Sequence, residues 1–239
     1  MKAAAPAVAE RFNGFPKTAL SFLEAIRKHN DREWFLPRKP AYEEQLKRPM
    51  ELLVHEVSAG CQAKGFAIFP KRPSPVTRIY RDTRFFPEKG PLHHFVGGML
   101  VGRSTVGEAY IHIAPEGCFV AAGIYMPPTP IMKAIRERIA SRPQSILELA
   151  RVLKSKKLEL VDEWKLKRMP RGFETFAHTP AAEYLKLNCF IVRRSLEPEQ
   201  IVSKALVKTL VKFTLDARPL LEWGWSFAAA APKVHDLIL

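Results

Sequence analysis

Hydrophobic periodicity changes twice along this chain, and that ordering restricts the fold more than any other feature. Over residues 17–30, Leu20, Leu23 and Ile26 recur at spacings of three, and Phe22 and Ile26 at four. This predicts a helix with Thr18 at its N-cap and Asn30-Asp31 at its end. A second helical stretch covers 41–62 and is kinked or restarted at Pro49, which has no amide to donate. The middle reads differently. Residues 76–81 read as a strand, and 110–114 and 118–125 as a hairpin around Pro115-Glu116-Gly117. Helical spacing then resumes over 130–140, 144–154, 181–187 and 198–215, with short strands at 158–161 and 189–192. Helices around a central cluster of strands predict an α+β fold with a mostly antiparallel sheet, rather than regular βαβ alternation.

The chain has no composition shift or linker that would divide it. Residues 1–11 read as a disordered tail, 12–225 as a single domain and 226–239 as a C-terminal tail. The 24 Phe, Trp and Tyr residues exclude whole-chain disorder. No apolar run approaches the roughly 18 residues of a membrane-spanning helix, so no membrane role is expected. Cys61, Cys118 and Cys189 are widely spaced, with no CxxC pair, which suits a reducing cytoplasm. Cys118 and Cys189 fall on apolar strands and read as inert core thiols.

Charge is the least ordinary bulk property. The chain has 38 Lys and Arg against 24 Asp and Glu, a net of +14. Residues 61–180 hold 20 of the basic and 10 of the acidic residues. A field of this sign attracts polyanions such as nucleic acid, or phosphorylated metabolites.

The densest polar run is Arg78-Ile79-Tyr80-Arg81-Asp82-Thr83-Arg84-Phe85. On a strand, Arg78, Tyr80, Asp82 and Arg84 would share one face. Asp82 would then lie between two guanidinium groups, stay ionised and hold both in fixed directions. Oriented arginines suit phosphate or carboxylate, although the same run could be a structural ion-pair network. Asp82 and Tyr80 are weak catalytic candidates, as is His178, because an Asp tied to arginines is a poor base. A second basic stretch ends in Lys167-Arg168-Met169-Pro170-Arg171-Gly172-Phe173, and with Trp164 and Phe173 it could hold phosphate and stack a base.

The histidines lack HExxH or i, i+4 spacing, so neither a metal nor another cofactor is expected. No Walker loop, GxGxxG or GxSxG occurs. Gly97-Gly98 reads as a bend.

Several of these segments together resemble a known family. They are Phe12-Asn13-Gly14-Phe15-Pro16, Asn30-Asp31-Arg32-Glu33-Trp34-Phe35, the complete run from Arg78 to Phe85, Ala121-Ala122-Gly123-Ile124-Tyr125, Leu166 to Phe173, and His178-Thr179-Pro180-Ala181-Ala182. Across residues 12–195 the chain resembles the uncharacterised, mostly bacterial family known as domain of unknown function 2461. The resemblance implies a free-standing cytoplasmic protein and supplies no reaction to carry over. The chain departs from the family pattern at Phe86-Pro87-Glu88-Lys89-Gly90-Pro91-Leu92-His93-His94-Phe95, where only Lys89 is clearly retained.

The anion-binding candidates are therefore Arg78, Arg81, Arg84, Lys89, Arg168 and Arg171. The expected function is an anion-binding module with nucleic acid or a phosphorylated molecule as partner. The alternative is an enzyme acting on a small anionic metabolite held by the Arg78–Arg84 run.

Overall fold

A computed structural model describes residues 10–230 except Thr83, Phe85, Phe86 and Thr105. The fold is α+β. Its centre is a five-stranded sheet in the order β1 to β5, with every neighbouring pair antiparallel. The strands are β1 (Phe69–Pro70), β2 (Val96–Val101), β3 (Glu108–Ile113), β4 (Cys118–Ile124) and β5 (Phe190–Leu196). The expected hairpin is β3–β4, and Gly117 turns it at a φ of 150°.

One sheet face is closed by helices. Leu100, Ile111, Ile113, Val120, Phe190 and Val192 are buried there. Helix Arg48–Gln62 packs on β1 and β2, while Leu206–Asp216 and Arg218–Trp225 pack on β4. Each fully buried large aliphatic side chain contributes roughly 1.5–3 kcal/mol. Helix Ala19–Lys28 buries Ala19, Leu23 and Ile26, the stripe its spacing predicts. Thr18 precedes it without capping it, and its hydroxyl instead donates to Gln45. Pro49 stands in the first turn of Arg48–Gln62, after a π-helical turn over Glu43–Lys47.

The strand expected over 158–161 is a single bridge from Leu160 to Val192, and three further expectations need correction. Gly97-Gly98 is not a bend but part of β2. A Cβ on Gly98 would come within 2.6 Å of Met50 and Val54, and one on Gly97 within 2.6 Å of Tyr110. Residues 76–81 are extended but form no regular strand. Val76 bridges to Gly98 on the sheet, whereas Tyr80 bridges to Leu92, away from it. The helix expected over 198–215 is two helices, Pro198–Ile201 and Leu206–Asp216. The Ile201 carbonyl accepts the Phe15 amide at 2.9 Å instead of continuing the ladder. Gly14, at a φ of 97°, lies against that break, where a Cβ would meet the Val202 carbonyl.

Packing continues past Trp225. Phe227 is buried, edge-on to Trp223, with the Arg138 guanidinium 4.0 Å from its ring centre.

Candidate functional site

Three adjoining depressions hold the chemistry. The first, of about 680 Å³, is lined by Arg78, Tyr80, Arg81, Asp82, His93 and Phe95 among others. Alternation would have sent Arg81 to the opposite face. The irregular backbone turns it into the same hollow as Arg78. Its guanidinium donates to the Lys89 carbonyl and lies 3.5 Å from Nδ1 of His93. Burial, followed by the Arg81 charge, holds His93 below the ordinary histidine range. Arg32 lies 5.7 Å from the centre of the Tyr80 ring.

Asp82 bonds one arginine rather than holding the two expected. Its side chain is 46% exposed and pairs with Arg84, itself 82% exposed. The Arg84 side-chain and backbone bonds hold the carboxyl at a pKa of about 2. Such an acid is a poor proton acceptor at neutral pH. Thr83 and Phe85 of the same run lie outside the described residues.

The second depression, of about 440 Å³, contains Arg171 with Lys133, Arg136 and Phe173. Arg136 is fixed by bonds of 3.1 Å to the Leu185 carbonyl and to the Asn188 side chain. Gly172 permits the turn beside Arg171 at a φ of 84°, and its amide donates to Glu174. Arg168 is exposed on the preceding loop and His178 is exposed after the Glu174–Phe176 turn. Neither lines either hollow. The structure thus unites Arg78 with Arg81, and Tyr80 with Asp82, but it separates them from Arg171 and His178.

The third depression has no counterpart among the sequence expectations. It is a cleft of about 370 Å³ on the sheet face that helices leave open. Register creates it. Tyr110 faces Ala121, which faces Arg193, and Glu108 faces Gly123, which faces Ile191. Small residues on β4 thus lie between larger ones on both neighbouring strands. His112 stacks on Phe119 at 4.7 Å, and Tyr125 meets Trp164 edge-on at 5.4 Å.

The polar groups of the cleft are neutral or paired. Burial lowers the His112 pKa to about 4. Burial also pushes Tyr110 above the usual phenol range. The two groups are bonded at 2.9 Å. At the rim, Glu108 pairs with Lys71 at 2.9 Å, and Glu163 pairs with Arg193. The cleft adjoins both cationic hollows. Phe95, in the first hollow, is 4.8 Å from His112 ring to ring. Asn188, in the second, donates to the Trp164 carbonyl at 2.8 Å. The signal in the sequence is the alternation Glu108-Ala109-Tyr110-Ile111-His112-Ile113, which places three polar or aromatic side chains on one face.

Among the described residues no cluster of three or more His, Cys, Asp or Glu side chains could hold a metal ion. No helix among them is long and apolar enough to cross a membrane. No curated protein and no solved structure matched the chain. The family described as "Conserved hypothetical protein (DUF2461)" matches residues 18–223, nearly the whole described fold, and the chain belongs to that family.

Proposed function

We propose that this protein is an anion-binding module that engages a phosphate-bearing strand, a nucleic acid, in the cytoplasm. One observation carries the reading: cationic hollows adjoin the open sheet face on two sides, Arg78 and Arg81 on one and Lys133, Arg136 and Arg171 on the other. Guanidinium groups held by neighbouring acceptors, as Arg81 and Arg136 are, lose less freedom on meeting a phosphate. The net charge of +14 supplies long-range attraction of the same sign. Both hollows are open, which suits a chain-like ligand better than an enclosed metabolite. The three buried cysteines are free thiols, in keeping with a reducing compartment.

The enzyme alternative has less support. Asp82 is held ionised by Arg84, and His178 does not line the hollow that contains Tyr80 and Asp82. Fluorescence anisotropy with a labelled oligonucleotide over a salt series tests the binding reading. Affinity should fall steeply as salt rises, because bound phosphates release counterions. The Arg78→Ala/Arg81→Ala double variant should bind more weakly and lower the slope by roughly one for each phosphate it no longer neutralises. Absence of binding at low salt, or an unchanged double variant, would overturn it.

A further inference from the structure

We propose that the cleft between Tyr110–His112 and Tyr125–Trp164 receives a nucleobase, so that the strand bound across this face is single. The proposal rests on the phosphate-binding reading for what holds the backbone, and it assigns the neighbouring apolar space.

Room comes first. Ala121 and Gly123 leave β4 almost bare between Tyr110 and Arg193, and the resulting space of about 370 Å³ lies within the usual span of ligand clefts. Its walls are rings, which offer flat faces to a flat ligand. Stacking of this kind is indifferent to base identity, because every base has a π-face.

The polar chemistry agrees. Tyr110 stays a phenol and shares a hydrogen bond of 2.9 Å with Nδ1 of the neutral His112, and whichever of the two donates it, the pair keeps one further O–H or N–H. An uncharged donor in an apolar cleft suits a ring nitrogen or carbonyl of a base. A phosphate there would be stripped of water by apolar walls, while Lys71 and Arg193 are already paired with acids. Phosphates instead have the cations on both sides. Charge complementarity thus assigns rings to the centre and phosphates to the flanks. A duplex cannot meet this arrangement, because its bases are stacked inside the helix with only their edges in the grooves.

Anisotropy at low salt tests the proposal with three probes of about 12 nucleotides, within the site sizes of single-strand binders. They are an oligothymidine, an abasic strand of equal charge and a duplex. The oligothymidine should bind about tenfold more tightly than the abasic strand and should quench Trp164 emission, a signal lost in Trp164→Phe. Ala121→Phe fills the cleft. It should reduce oligothymidine affinity to the abasic level and leave abasic binding unchanged. Trp164→Ala removes the opposite wall and should do the same if the filled variant fails to fold. Equal binding of thymidine and abasic strands, or preference for the duplex, overturns the base proposal while leaving phosphate binding intact. If no probe binds, both fall.

Discussion

The Tyr110 hydroxyl lies 2.9 Å from Nδ1 of His112, two residues along one face of β3. This bond, with Phe119 stacked on one side and Phe95 tilted against the other, holds the imidazole away from bulk water. Glu116 raises its proton affinity and His94 lowers it, but burial outweighs both, so the pKa falls from 6.5 to about 4.

Acid sensitivity should follow from that shift. The folded state prefers neutral His112 and the unfolded state takes up a proton first. The stabilisation is therefore complete above pH 6.5 and disappears as pH falls through about 4. The loss is at most about 3 kcal/mol. His93, also lowered by burial, adds in the same direction. Urea denaturation at neutral pH and near the lower limit should show a smaller difference for His112→Gln than for the wild type. An identical pH dependence in the two proteins would mean that His112 is not buried neutral.

Gly98→Ala should destabilise the fold. A Cβ there would approach both Met50 and Val54 to 2.6 Å. The Met50 side chain can swing away, but Val54 is branched and sits on the helix backbone. Overpacking of this kind costs roughly 1–3 kcal/mol. Val54→Ala in the same chain should recover part of that loss, so the two substitutions should be non-additive in denaturant titrations. Strict additivity would separate the glycine from the helix contact.

The same contact explains which parts of the fold the sequence revealed. β3 alternates visibly because one of its faces is apolar, and β4 reads as a continuous apolar run because nearly all of its residues are buried. β2 does neither, since Gly97-Gly98 is small for reasons supplied by Met50, Val54 and Tyr110, all distant in sequence. The helical spacing over 198–215 is real, yet Phe15 takes the carbonyl of Ile201, and the Ser203 hydroxyl accepts the Ala205 amide at 3.2 Å. The site divides along the same line. Arg78 and Arg81 are neighbours in sequence and stay neighbours in one hollow. The cleft depends on which residue of β4 faces Tyr110, and only register decides that.

Asp82→Asn should leave the melting temperature nearly unchanged. Its partner Arg84 is 82% exposed, and exposed ion pairs are worth little after solvent screening and side-chain ordering. Thermal denaturation of the variant at neutral pH separates the two meanings of the Arg78–Arg84 run. A small effect fits a run available to ligands. A drop as large as that from a core truncation would mark the run as an architectural network joining sheet and helices.

Phe227→Ala should cost about 3 kcal/mol, the lower end of buried Phe truncations. The residue is 3% exposed although it lies beyond helix Arg218–Trp225. Trp223 meets it edge-on at 4.9 Å, and the Arg138 guanidinium sits over its face at 4.0 Å. Arg138 also bonds the adjacent Ser226 hydroxyl, so one side chain of helix Thr129–Ser141 fastens both residues. Phe227→Leu keeps most of the apolar area but removes the π-face, and should lie between wild type and alanine in denaturant midpoint. A chain ended after Trp225 should be at least as unstable as Phe227→Ala. If the shortened chain melts like the full-length protein, the packing of Phe227 is not part of the cooperative fold.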